Sequence, residues 1–174
     1  MRKKLIVIDM QNDFINGALG TKEAEAIVDR VAEKIRSYPE ADRIATMDTH
    51  GPHYLKTQEG KHLPVEHCIR GTEGWQLNPK IKEALGKALI YEKPTFGSTD
   101  LARKLSEMGK EEELELELCG LCTDICVVSN ALLLKAVMPD VPIFVDPACC
   151  AGVTPEGHEA ALKTMKACQI NIAE

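Results

Sequence analysis

Aromatic side chains are scarce in this chain: one Trp, three Tyr and three Phe among 174 residues. So few rings cannot tile a base-stacking surface, and no Lys/Arg cluster stands out to follow a phosphate backbone. With 27 acidic against 21 basic residues and a formal charge of -6, a nucleic-acid partner is not expected. Long apolar runs are missing as well. Arg2, Lys3 and Lys4 precede Leu5-Ile6-Val7-Ile8, but Asp9 stops that run, leaving it too short for a signal peptide or a membrane-spanning helix. Disulfide pairing is not indicated either. The cysteines are odd in number (Cys68, Cys119, Cys122, Cys126, Cys149, Cys150, Cys168), and a chain of this length buries a core without covalent staples. Reduced thiols in a cytoplasmic protein that spans no membrane are the expectation.

What is present is alternation. Apolar β-branched runs at 4–8, 43–47, 88–91, 114–119, 141–145 and 169–172 read as strands. Helix-period segments lie between them at 22–36, 79–85, around Leu101, Leu105 and Met108, at 123–137 and at 155–167. Asn78-Pro79 and Gly86 bracket one helix, and Thr154-Pro155 starts another. Repeated strand–helix units predict an α/β fold. Its expected form is a doubly wound, mainly parallel six-stranded sheet with helices on both faces, a Rossmann-like three-layer sandwich. No repeat and no linker interrupts the chain, so 1–174 is read as one domain.

Two segments resist this pattern. Residues 48–75 form a loop too long to be idle in a compact domain, and it gathers Asp48, His50, His53, Glu59, His62 and His67. The run Glu113-Leu-Glu-Leu-Glu-Leu118 alternates, whereas a central parallel strand is apolar on both faces. Glu115 and Glu117 are therefore expected at a solvated strand entry or an oligomer contact.

Ligands of open α/β sheets sit beyond the carboxyl ends of the strands. Asp9, Asp48, His50, Lys93, Cys122, Cys126 and Asp146 all fall at that rim. Cys126 is the sharpest of them. With Thr123 as N-cap, it lies in a first helical turn, where the helix dipole favours a thiolate and unpaired backbone N–H groups favour an oxyanion. Spacing alone leaves open that Cys119, Cys122 and Cys126 are ordinary core thiols. A zinc site from Cys119 and Cys122 is disfavoured, because no second pair follows.

Val7-Ile8-Asp9-Met10-Gln11-Asn12-Asp13-Phe14, Asp48-Thr49-His50, His67-Cys68 with Gly71-Thr72, and Gly120-Leu-Cys-Thr-Asp-Ile-Cys126 occur in this order. Together they resemble the isochorismatase-like cysteine hydrolases, in their nicotinamidase/pyrazinamidase branch. The resemblance implies a triad of Asp9, Lys93 and Cys126, with Cys126 as the nucleophile, Asp9 as proton carrier and Lys93 as partner of both anions. It implies a cis peptide before Cys122 and an oxyanion hole from the backbone N–H groups of Cys122 and Cys126.

The resemblance further implies a divalent metal, zinc before iron or manganese, on Asp48, His50, Glu59 and His67. His53 and His62 compete with Glu59 for the fourth place. The family pattern places a pyridine-stacking aromatic where this chain has Pro64, so Phe14, Trp75 and Phe96 are the expected pocket walls. The implied substrate is a small planar carboxamide, nicotinamide first, handled by a homodimer or homotetramer in pyridine nucleotide salvage. Two rivals stay open: a metal-independent amidase for N-carbamoyl or ureido compounds, and a redox sensor using Cys122 and Cys126.

Overall fold

The computed structural model describes residues 1–173. Six strands form one sheet: β1 Arg2–Ile8, β2 Arg43–Asp48, β3 Leu89–Lys93, β4 Leu114–Leu121, β5 Ile143–Ala151 and β6 Asn171–Ile172. Their order is β3-β2-β1-β4-β5-β6, and every pairing is parallel. Central β1 is buried on both faces, which is why Leu5 to Ile8 read as an unbroken apolar run.

The helices are α1 Asn12–Ile15, α2 Lys22–Arg36, α3 Gln58–His62, α4 Pro79–Leu85, α5 Thr99–Met108, α6 Val128–Val137 and α7 Pro155–Ala167. Thr21 caps α2 by accepting from the Ala24 amide, and Ile27, Val28, Val31 and Ile35 lie on the buried stripe of that helix. Two groups cover the sheet: α2 with α4, and α5 with α6 and α7. Each fully buried aliphatic of α2 contributes about 1.5–3 kcal/mol, so Ile35→Asp would break the packing of this layer.

The strand order reverses between β1 and β4, and that crevice is where such folds place their chemistry. Gly120 permits the close approach there: its φ is +117°, and a Cβ would collide with the Ile8 carbonyl.

Three expectations need correction. Asp146 does not end a strand at the functional rim; β5 continues to Ala151 through a register shift against β4. Its carboxylate instead meets Lys34 Nζ on α2 at 2.6 Å. Glu115 and Glu117 are not merely solvated, because both have charged partners within the chain. Glu115 pairs with Lys3 at 2.7 Å, and Glu117 pairs with Lys34 at 2.6 Å and accepts from the Tyr38 hydroxyl. Alternation survives in a central strand because β1 supplies a cation to Glu115 and α2 supplies one to Glu117. Thr123, finally, is not an N-cap. Cys122 takes that position, and a π-helical turn over Thr123–Val127 precedes α6.

Candidate active site

Asp9 follows the last residue of β1, and Lys93 ends β3 two strands away. Lys93 Nζ stands 2.6 Å from Asp9 Oδ2, 3.4 Å from Cys126 Sγ and 3.5 Å from Asp48 Oδ1. It also donates to the Thr95 carbonyl at 3.0 Å. Asp9 is fully buried and has a left-handed backbone, φ +46°. Thr46 Oγ1 donates to Asp9 Oδ1 at 2.6 Å, whereas Oδ2 is ion-paired without an aligned hydrogen bond. That oxygen retains a lone pair for a proton, and Lys93 Nζ, which it pairs with, also stands 3.4 Å from Cys126 Sγ.

Burial governs the electrostatics of these three groups. It pushes the Asp9 carboxyl above the usual carboxylate range, with Lys93 pulling the other way. Burial also pushes the Cys126 thiol up, and the Asp9 charge adds to this. For Lys93 burial favours the neutral amine, but the charges of Asp9 and Asp48, and of Cys126 whenever its thiol ionises, outweigh it and raise its pKa. The resting arrangement is a neutral thiol beside a basic carboxylate and a fixed cation. An Asp made more basic by burial is suited to take that thiol proton.

The peptide between Leu121 and Cys122 is cis. Among the described residues, the backbone N–H groups of Cys122 and Cys126 find no acceptor outside the π-helical turn. The hydroxyl of Thr123 pairs with His158 Nδ1 at 2.8 Å, and Asp124 accepts from the Val153 amide at 3.0 Å. The turn is thus tied to α7 and to the end of β5 by two successive side chains.

Beside this assembly, Asp48, His50, Glu59 and His67 each aim one donor atom at a common point, all within 4.8 Å of one another. His50 Nε2 is 2.9 Å from Asp48 Oδ2 and 3.5 Å from Glu59 Oε1. His67 Nε2 is 3.5 and 3.7 Å from the same two oxygens. His67 Nδ1 faces the Val65 carbonyl at 2.8 Å, which fixes the ring so that Nε2 is left to point into the cluster. Two converging carboxylates, half-buried Glu59 pushed up by burial and by Asp48, fit a divalent ion of borderline softness. His53 and His62 are exposed outside this cluster, and His62 bonds the Gln58 carbonyl instead.

A narrow cavity joins the two groups. It is lined by Phe14, Leu19, Asp48, Glu59, Leu63, His67, Phe96, Cys122, Ile125 and Cys126. Of the three expected walls, Phe14 and Phe96 line this cavity and Trp75 does not. Its indole donates to Thr49 Oγ1 at 2.9 Å, Arg70 lies over its ring, and it lines a separate cleft with Met47 and Leu85. That cleft, and another between α5 and α6, hold no cysteine and no histidine. Leu63, adjacent to Pro64, is a wall residue that sequence reasoning missed.

Several supports were also missed. Buried Gln11 clamps the Asp48 peptide on both sides, Nε2 donating to its carbonyl at 2.8 Å and Oε1 accepting its amide at 2.7 Å. Asp13 accepts from the Cys68 amide at 2.8 Å, holding the residue after His67. Both lie in the Asp9–Phe14 segment, but amide clamps across 37 or 55 positions leave no local signal.

Residues 3–174 match the isochorismatase domain family. A nicotinamidase/pyrazinamidase of Mycobacterium tuberculosis is 28% identical over 98% of this chain and 97% of its own length. The crystal structure of nicotinamidase/pyrazinamidase PncA from Bacillus subtilis is 32% identical, covers both chains fully and superposes with a TM-score of 0.83. That of Pyrococcus horikoshii pyrazinamidase in complex with zinc is 30% identical over 100% of this chain and 99% of its own, with a TM-score of 0.79. With the fold, the rim residues and the sequence match in agreement, this chain belongs to the isochorismatase family.

Proposed function

We propose that the protein is a cysteine amidohydrolase that converts nicotinamide to nicotinate and ammonia. The observation that carries this reading is the contact of Cys126 Sγ with Lys93 Nζ, itself paired to Asp9, on the floor of a cavity walled by Phe14 and Phe96. Relatives named nicotinamidase or pyrazinamidase support the choice of substrate.

Asp9 Oδ2 takes the Cys126 proton as sulfur attacks the carboxamide carbon. The C=O pair moves to oxygen, which faces the N–H groups of Cys122 and Cys126. Collapse breaks the C–N bond while Asp9 returns its proton to nitrogen, so ammonia leaves and a thioester remains. Water then attacks the thioester, giving one proton to Asp9. The acid departs, and the proton on Asp9 restores the thiol. Throughout, Lys93 holds positive charge beside both anions, which keeps Asp9 ionised when it must accept.

Asp48, His50, Glu59 and His67 would hold the metal, zinc being the proposed ion on the precedent of the Pyrococcus enzyme. When bound it supplies a Lewis-acidic anchor for a ring nitrogen or a water. The protein's own residues Phe14 and Phe96 sandwich the ring and exclude solvent.

No helix among the described residues is long and apolar enough to cross a membrane, and all seven cysteines are free. These features support the cytoplasm as the compartment. Assembly into dimers or tetramers rests on the family resemblance.

Ammonia release from nicotinamide, pyrazinamide, benzamide and an N-carbamoyl amino acid tests the reading. Nicotinamide should be cleaved with kcat/KM about ten- to a hundredfold above benzamide, which lacks the ring acceptor. Cleavage of the carbamoyl compound without any pyridine carboxamide would transfer the assignment to the ureido amidases.

A further inference from the structure

Asn130 lies on α6, four positions beyond the nucleophile, and is 1% exposed. A buried amide is costly unless its polar atoms are paired. Asn130 pairs them with backbone alone. Nδ2 donates to the carbonyls of Cys126 at 2.8 Å and Phe96 at 3.0 Å, and Oδ1 accepts from the Ser98 amide at 2.9 Å. Ser98 in turn caps α5 by accepting from the Leu101 amide at 3.2 Å.

These partners belong to two segments distant in sequence, the nucleophile turn and the connection from β3 to α5. That connection has little else to hold it. Among the described residues, two hydrogen bonds reach Thr95, Phe96 and Gly97: Lys93 Nζ to the Thr95 carbonyl, and Asn130 Nδ2 to the Phe96 carbonyl. Phe96 as a residue is 42% exposed, so packing holds it only in part. One end of the segment thus hangs on the catalytic lysine and the other on Asn130.

We propose that Asn130 is a positioning residue that sets the distance between the Phe96 wall and Cys126, and so determines how tightly the carboxamide ring is gripped. This rests on the reading of the cavity as the substrate site. Carbonyl-to-nucleophile bonding alone does not need an asparagine: a hydroxyl at this position can also donate to the carbonyl four residues back. What asparagine adds is reach to Phe96 and Ser98.

Asn130→Thr separates the two functions, since it keeps a donor for Cys126 and loses the ties to the loop. The expected result is KM for nicotinamide raised about tenfold, with kcat changed less than about threefold and faster exchange of the Ser98 backbone amide, the one Asn130 holds. In a Phe96→Ala background, the same substitution should add less than about twofold to KM, because the wall it positions is gone. A purely structural asparagine would give a KM penalty independent of Phe96, and that outcome overturns the proposal, as does unchanged KM or unchanged exchange. Thermal melting checks folding, and Asn130→Ser replaces the threonine variant if the latter melts early. Failure of the native enzyme on every carboxamide is a failure of the functional reading instead. In that case exchange alone decides: faster exchange of the Ser98 amide upholds the tie, and unchanged exchange removes it.

Discussion

Asp9, Lys93 and Cys126 hang from the carboxyl ends of β1, β3 and β4, whereas only Asp48 of the neighbouring four-residue cluster ends a strand. His50, Glu59 and His67 come from the long connection after β2, held by short helical turns and by the clamps of Gln11 and Asp13. The first group is neutralised within itself, a cation between a carboxylate and a thiol. The second brings two carboxylates together with no side-chain cation of its own, Lys93 reaching only the far oxygen of Asp48. A sheet fixes reacting atoms rigidly. A loop can wrap an ion, and its carboxylate excess makes the ion part of its stability.

Removing the nucleophile should have the largest effect of all. Cys126→Ala is expected to lower kcat by at least about a thousandfold while circular dichroism and the melting temperature stay near native, since little volume is lost. Comparable turnover in that variant would remove the sheet-borne group from the chemistry. His67→Ala or Asp48→Ala should act differently. Bound metal should fall and KM rise about ten- to a hundredfold, while iodoacetamide still alkylates Cys126 within a few-fold of the native rate. Chelation of the native protein should reproduce this pattern and reverse on adding zinc. If thiol reactivity collapses together with metal content, the two groups are one unit and the contrast fails.

The pH profile sharpens the same contrast. Asp9 must be ionised to accept the thiol proton, and burial raises its pKa. Activity is therefore lost as pH falls through that raised value, and the acid limb of kcat/KM should lie above the ordinary aspartate value of about 3.9. Below it the rate drops about tenfold per pH unit. A flat profile down to pH 4 would show that Asp9 is not the base. The smallest effects are expected outside both groups. Cys122→Ala retains its backbone N–H, and Trp75→Phe loses only a bond to Thr49, so each should keep kcat/KM within about threefold. A large loss in Trp75→Phe would place that ring in the substrate path after all.

Much of this was legible because it is local. Strand and helix periods give α2, α4 and α7 with their ends, because caps such as Thr21, Asn78 and Thr154 act within three residues. Rim placement exposes Asp9, Lys93 and Cys126, since strand ends are recognisable and the parallel fold brings them to one edge. Glu59 joins the metal cluster while His53 and His62 stay exposed. No spacing could separate these three, because all sit in one polar loop.

By itself, the sequence determined the layer architecture and narrowed the candidate nucleophile and candidate metal ligands to a few positions, since periodicity and residue chemistry are properties of short windows. Tertiary structure alone decided which side chains face each other across long separations. It sent Asp146 to Lys34 rather than to the rim, gave Glu117 a cation from α2 and removed Trp75 from the cavity. It also made Leu63, Gln11 and Asn130 part of the site's frame. The reason is physical: buried charges and amides must find partners, and the fold rather than the neighbouring sequence determines which ones lie within hydrogen-bond reach.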